Sequence, residues 1–443
     1  MKLLPLEEVV HRLEWVISSS PCDETELVWV EIVRASVSDR DRENTPPHAE
    51  ATVLVRVRDA ERIGVYQTGA GTVGELSNAV RQALGQTRIE SPSSWRCPPA
   101  PPDEKVEVNG VAVDRELAGL EPQAARELLG SLCRPGEAAR LDWNVGRVVL
   151  ANSRGLQQQA AATSVVLEAR CPGSAGTGRA AAAARSFAAL DREEVFARAR
   201  RRRADRGDDD GSEVGWHAPL VLSPEAVIAL LALLNQHALS ARSFHEGTSV
   251  LQDAVGKQIF DPELTLVDDG MRSGQGAQGL PFPFDLFGYG KRPVEMIRDS
   301  RLQTPAVDQE LAEQLDLPPT PHGVAQEDSR ASHLWMDAGS LSDRELFELA
   351  DGGLWIGWLE HLECLDAAHG RFRARARGTR RIVGGELGAG IPDMTCRGSF
   401  PEIFERLAGV GRETVCLPVE DGFRGGIVAP AIALPEGSAL EVR

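Results

Sequence analysis

The sequence predicts an α+β protein, with an antiparallel sheet in its first half and a β-rich, glycine-rich second half that opens with a helix. Three observations lead there. The chain has 443 residues, 42% of them hydrophobic, enough core for two or three domains. Period-two alternation recurs in both halves without the strand–helix–strand rhythm of a doubly wound sheet. A composition break, Arg200-Arg201-Arg202-Arg203 against Asp208-Asp209-Asp210-Gly211, divides the chain near Asp210 to Trp216.

Leu6, Val9, Val10, Leu13 and Val16 share one face and predict an opening helix. Glu26 to Val37 and Ala51 to Val57 alternate as neighbouring antiparallel strands with one wet face, Arg56 and Arg58 pointing outward. A third strand, Ile63 to Gln67, leads into a helix over Val73 to Leu84. Pro92, Pro98, Pro99, Pro101 and Pro102 predict a stiff linker or surface loop. Glu121 to Cys133 reads as helix, and Asp142 to Ala151 and Thr163 to Arg170 as strands about an Asn152-Ser153-Arg154-Gly155 turn. Ala180 to Ala184 and Glu193 to Arg203 look helical. Beyond the break, Ser223-Pro224 starts a helix reaching about Ser243. Strands follow at Leu264–Val267, Pro293–Ile297, Leu354–Leu359, Phe372–Arg377, Arg381–Val383 and Ile427–Leu434. The expected division is 1–98, 99–215 and 216–443.

A net charge of −18 argues against a protein whose main task is gripping nucleic acid, since phosphate binding needs clustered cations. The basic quartet at 200–203, followed by acids, reads as a solvated helix end. The N-terminus turns acidic at Glu7 too soon for a signal-peptide core, and the longest apolar run, Ala226 to Leu234, is about half a membrane span. A cytoplasmic, membrane-free protein is expected. Seven scattered cysteines without C-x-x-C spacing read as reduced and mostly buried.

Gly69-Ala70-Gly71-Thr72-Val73-Gly74 matches a dinucleotide fingerprint, but the antiparallel context favours Thr72 as a plain helix cap. His237 and His245 stand eight residues apart, about 12 Å of rise on one helix, too far to share an ion. His361 and His369 repeat that spacing. Asp268-Asp269-Gly270 ends a short strand, where paired acids hold a metal, do acid–base work or simply make a turn; Asp285 is a further candidate. Arg371, Arg373, Arg375 and Arg377 alternate along one strand, placing four guanidiniums on one face. That comb either receives carboxylates of a peptide or partner, or is an ordinary solvent face.

Taken in order, several segments resemble the TldD/PmbA (TldE) family of modulator-of-DNA-gyrase peptidases. They are Ile63 to Leu84, the Val148 to Gly155 turn, Ser249-Val250-Leu251 leading into Leu264 to Gly270, and Pro281-Phe282-Pro283-Phe284-Asp285 with Gly288. Ala338 to Ser342, Gly352-Gly353-Leu354, Gly370 to Gly378, Gly384-Gly385-Glu386 and Pro430 complete the set. The resemblance implies an α/β N-terminal half, a β-rich C-terminal half enclosing a cavity, and assembly as dimers. TldD-type members look like zinc metallopeptidases with His-Glu-x-x-x-His on a helix and a later Cys; TldE/PmbA-type members lack that set and are similar to a metal-free partner subunit.

Aligned without gaps, the zinc helix falls at Ala232 to His237, with Ala232 at the first His position and Leu233 at the Glu position. Phe423-Arg424-Gly425-Gly426 holds no Cys where the third ligand is expected. The resemblance therefore implies a TldE/PmbA-like subunit without a cofactor, paired with a zinc-bearing TldD-like chain and acting on unfolded or leader peptides. Peptide contacts are expected at Asp268, Asp269 and the Arg comb. One alternative is a self-sufficient enzyme whose metal site is rebuilt from His237 and His245 with Glu246 or Asp269, which requires the helix to break near Ser240. Another is a non-enzymatic, peptide-binding homodimer.

Overall fold

The computed structural model describes residues 3–39, 45–89, 93, 95–99, 113–174, 176–204, 218–274, 279–324, 329–419 and 422–442. The expected boundary at Asp210 to Trp216 lies outside them. The first half is one antiparallel sheet: β1 (Glu24–Ser38), β2 (Thr45–Asp59), β3 (Arg62–Gly69), β4 (Ala138–Asn152), β5 (Gln157–Cys171) and β6 (Gly178–Ala184). Its order is β3-β2-β1-β4-β5-β6, so the division expected near residue 98 falls between two halves of a single sheet joined by the β1–β4 ladder.

Strand parity decides what each face meets. Leu27, Trp29, Val53, Val55 and Val149 share a core with α1 (Leu6–Ser18) and α2 (Val73–Gln86). Toward the other end of the sheet, Val37, Leu141, Trp143 and Leu167 pack with α3 (Arg115–Ala118), α4 (Pro122–Leu132) and α5 (Arg192–Arg201). Thr72 caps α2 in a reciprocal box with Glu75, so the Gly69 to Gly74 run is used as a helix start.

Two expectations for this half are corrected. Ala180 to Ala184 form strand β6, because pairing with β5 outweighs alanine's helix preference. The outward face is not wet: Val28, Ile32, Leu54, Val148 and Leu150 are covered by Phe282, Phe284, Leu286 and Phe423. Arg56 is consequently 3% exposed and ion-paired to buried Glu26 at 2.7 Å. The fit is close, since a Cβ at Gly146 would stand 2.4 Å from the Phe423 ring.

The second half holds two sheets. The larger contains β7 (Leu220–Leu222), β8 (Leu266–Asp268), β9 (Val294–Arg298), β10 (Arg301–Leu302), β11 (His333–Met336), β12 (Leu354–Ile356), β15 (Arg380–Val383), β16 (Glu386–Gly390), β18 (Gly409–Pro418) and β19 (Gly426–Leu434). The smaller has the order β13 (Trp358–Asp366), β14 (Arg371–Arg377), β17 (Met394–Ser399), β20 (Leu440–Val442). Helix α6 (Pro224–His237) shares one core with β19 of the larger sheet and with Phe372, Ala374 and Ala376 of β14. A helix apolar on nearly every side belongs in such a place. It ends at His237, short of the expected Ser243; α7 (Ala241–His245) follows Ser240, and α8 (Gln309–Leu315) and α9 (Asp343–Leu349) complete the described helices. No helix among the described residues is long and apolar enough to cross a membrane.

The basic quartet also has a different role from the one expected. Arg200 grips Glu137 through two bonds of 2.7 and 2.8 Å, and Arg202 bonds fully buried Glu225 at 2.8 Å in the first turn of α6. These ion pairs tie α5 to the turn before β4 and to α6.

Candidate functional site

Of the expected residues, Asp268 occupies the most constrained position. It ends β8 and is fully buried between β9 and β11. Its Oδ1 accepts the His333 backbone N–H at 2.6 Å, and its Oδ2 accepts from His322 Nε2 at 2.9 Å and Lys291 Nζ at 3.4 Å. Burial alone would raise its pKa; Lys291, His322 and the His333 amide together hold it far below the usual carboxylate range. Asp269 instead makes the turn: its Oδ1 accepts from Met271 N–H and its carbonyl from His333 Nδ1. The two acids do not converge on one point of chemistry.

His322 is likewise fully buried, and its Nδ1 stands 2.6 Å from Thr320 Oγ1. The array Asp268–His322–Thr320 has the connectivity of a nucleophile relay. It is sealed, however. Thr320 is buried, its oxygen accepts from Val307 N–H, and its proton has the Val307 carbonyl as a competing acceptor. Burial pulls His322 below the ordinary imidazole range against the pull of Asp268. Burial pulls His333 down to about 4; its Nδ1–H faces the Asp269 carbonyl and its Nε2 accepts from Leu280 N–H. The cluster ties β8 and β11 to the segment around Thr320 and His322.

Beside it lies a cleft of about 30 Å³ lined in part by Phe284, Lys291, His322, Arg330, Ser332 and Arg424. Asp285 lines it too, but Phe287, Tyr289 and Gly323 N–H groups already occupy its carboxylate. The cleft adjoins the end of α6: Asn235 exchanges two hydrogen bonds with Ala331, and the Arg330 charge, after burial, lowers the His237 pKa.

The residues of α6 that escape full burial include Ala229, Ala232, Gln236 and His237. His237 lies 6.4 Å from the Phe400 ring. The helix does break near Ser240, but His245 is exposed and Glu246 is engaged with Arg242 at 3.2 Å. Among the described residues, no group of three or more His, Cys, Asp or Glu is placed to hold a metal ion. The residues present do not fit the zinc that the resemblance associates with this helix.

The Arg comb lies on the exposed face of β14, as its spacing predicts, and acids stand beside it. Arg373 bonds Glu363 at 2.7 Å, Arg375 meets Asp393 at 3.4 Å, and Arg377 joins both Glu360 and Asp393. It is distinct from the Asp268 cluster and largely neutralised.

Lys291, Thr320 and His322 escaped sequence reasoning because they lie 23 to 54 residues from Asp268 and share no local motif. One signal was available: Lys291 is one of four lysines in a chain with 48 Lys plus Arg. A compact ammonium fits a narrow buried spot that a guanidinium would not.

Fold and sequence together define a protein of metallopeptidase-family architecture: residues 216–438 match the PmbA/TldA metallopeptidase C-terminal domain. The chain belongs to the PmbA/TldD family. It is 24% identical over 273 residues to a metalloprotease of Methanothermobacter thermautotrophicus, a match spanning 59% of each chain. It is 36% identical over 61 residues to an uncharacterized protein of Methanocaldococcus jannaschii, covering 14% of this chain and 15% of that one. Among solved structures, a Thermotoga maritima protein named as a modulator of a DNA gyrase aligns with TM-score 0.76 at 18% identity, over 99% of this chain and 100% of that one. TldE from Thermococcus kodakarensis aligns with TM-score 0.76 at 17% identity, over 99% of both chains. At these identities the likeness is one of fold.

Proposed function

We propose that this chain is a metal-free, TldE/PmbA-like subunit that pairs with a zinc-bearing TldD-like chain and helps present unfolded or leader peptides for cleavage in the cytoplasm. The observation that carries the reading is on α6, where Ala232 and Leu233 occupy positions that the resemblance gives to a zinc ligand and a general base. The helix itself is intact and buried in the core, so the fold persists without the ligand set. Likeness in fold to a structure named TldE agrees with this. An extended peptide would be held through main-chain hydrogen bonds, which suit substrates sharing only a backbone.

The test is co-expression with a His-Glu-x-x-x-His paralogue from the same source. The expected result is a stable complex, zinc carried by the paralogue, and peptide hydrolysis only when both chains are present. Absence of a complex, or about one tightly held metal ion on this chain with hydrolysis by it alone, overturns the reading.

A further inference from the structure

We propose that the cleft between the β5–β6 end of the first sheet and the smaller sheet of the second half binds a neutral sugar. It lies apart from the Asp268 cluster, and the inference does not depend on the peptide reading above. The size of the cleft, its charge balance and its unused hydrogen-bonding atoms carry it.

The space is about 570 Å³, within the range of small-molecule pockets, and it sits where the two halves of the chain meet. Arg170 and Arg179 line it from β5 and β6, Arg202 from the end of α5, and Trp358, Arg377 and Thr379 from the second half. The lining is electrically balanced. Arg170 and Arg179 share Glu168, Arg179 also donates to Glu360 at 2.6 Å, Arg377 joins Glu360 and Asp393, and Arg202 holds Glu225 at 2.8 Å. Four cations therefore meet four carboxylates, and an ionic ligand would have to break one of these pairs to find its counter-charge.

What stays open is uncharged bonding capacity. Thr379 is 1% exposed, lines the cleft, and its Oγ1 has no hydrogen-bond partner. A buried hydroxyl left unpaired costs free energy, and a ligand group that pairs with it removes that cost. Asp393 accepts from Arg375 and Arg377 through Oδ2 alone, which leaves Oδ1 unused. Arg170 reaches Glu168 through Nε, which leaves its two terminal nitrogens unused. A hydroxyl, an acceptor and a donor thus stand beside an apolar wall of Trp358, Ile391 and Pro392.

A sugar matches this set, because each of its hydroxyls both donates and accepts, and the C–H face of its ring packs against an indole. Trp358 is held in place for such a contact. The Arg179 guanidinium carbon lies 3.8 Å from its ring centre, and its Nε1 donates to the Arg179 carbonyl at 3.4 Å. An extended peptide matches less well, since it needs open main-chain groups. Here Arg170 pairs with Arg179 and Trp358 with Arg377 in register, Arg202 Nη1 donates to the Arg179 carbonyl, and Ile391 N–H donates to the Thr379 carbonyl.

The experiment uses the full chain and saturation-transfer NMR. The probes are the neutral disaccharides maltose, cellobiose, lactose and trehalose, with glucuronate and N-acetyl-trialanine carboxamide for comparison. At least one disaccharide is expected to bind. Thr379→Val, which removes only the hydroxyl, should weaken that binding about tenfold, the scale of one hydrogen bond. Trp358→Leu should abolish it. Melting temperatures confirm that the variants fold, and Thr379→Val should melt no lower than the parent, because its hydroxyl has no partner to lose. No saturation of any disaccharide overturns the proposal. So does disaccharide binding that both variants leave unchanged, since the sugar would then sit elsewhere. Tighter binding of glucuronate than of the neutral sugars would overturn it on charge. Binding of the carboxamide peptide that both variants remove would overturn it in favour of a peptide site.

Discussion

The guanidinium carbon of Arg56 lies 3.6 Å from the centre of the Phe287 ring, joining the first sheet to the loop that follows Phe282 and Phe284. The same guanidinium pairs with Glu26 at 2.7 Å and donates to the Leu286 carbonyl at 2.7 Å. One side chain thus links a strand of the first half to the backbone of the second. Replacing it removes an ion pair, a hydrogen bond and a stack at once, and leaves Glu26 buried without its counter-charge. Arg56→Met should destabilise the chain by about 3 kcal/mol or more. The double variant Glu26→Leu/Arg56→Met should recover much of that loss, because no buried charge then remains. Urea unfolding of both variants checks this; a double variant no more stable than the single one would refute it.

Glu26 and His333 predict opposite pH responses. Burial raises Glu26 from 4.5 to about 7, against the pull of Arg56. Between those values the folded state holds a proton that the unfolded state has released, so stability falls as pH rises. Burial lowers His333 from 6.5 to about 4. Between those values the unfolded state holds the extra proton, so stability falls as pH drops. The windows overlap between about 4.5 and 6.5, where the two contributions oppose each other with slopes of up to about 1.4 kcal/mol per pH unit each. Removing one should expose the other. His333→Gln should make stability decline more steeply with rising pH in that window, and Glu26→Gln should make it climb. Denaturant melts at several pH values measure both slopes; parallel curves for the three proteins would dispose of the idea.

The ladder of the first sheet was legible because Val53, Val55 and Val57 recur at a period of two, with Arg56 and Arg58 on the opposite parity. The same alternation could not say what covers the second face. Parity places Arg56 opposite Val55, but the cover comes from Phe282 and Phe423, more than 200 residues away. β6 was hidden for another reason: a run of alanines carries helix propensity, and only its partner β5 makes it a strand. At the site, Asp268 was visible as an acid ending a strand. Its partners were not, because a buried ion cluster is assembled by topology and leaves no spacing to read.

The comb on β14 should prove nearly silent. Arg373 and Arg375 are exposed, and with Arg377 they are already paired with Glu360, Glu363 and Asp393. Exposed pairs of this kind contribute about 0–1 kcal/mol each. Arg373→Gln and Arg375→Gln should therefore shift stability by less than about 1 kcal/mol apiece. Affinity for a short peptide such as N-acetyl-trialanine, measured by calorimetry, should stay within error of the parent. A loss of affinity in either variant would return the comb to the binding surface.

Helix α6 offers the sharpest comparison between fold and chemistry. Ala232→His with Leu233→Glu would write His-Glu-x-x-x-His into the helix, using His237 as the second histidine. Two of three zinc ligands would then exist, but Phe423 to Gly426 would still supply no Cys. Leu233 is also 6% exposed within the core of the second half, so a carboxylate there pays for burial without a partner. Ala232→His alone changes a half-buried position and should be tolerated better. The double variant is expected to lose several kcal/mol of stability and to hold no tightly bound zinc after dialysis, measured by elemental analysis of untagged protein. About one zinc per chain would mean that a further donor reaches this helix, so that Ala232 and Leu233 alone keep the natural chain from holding the metal.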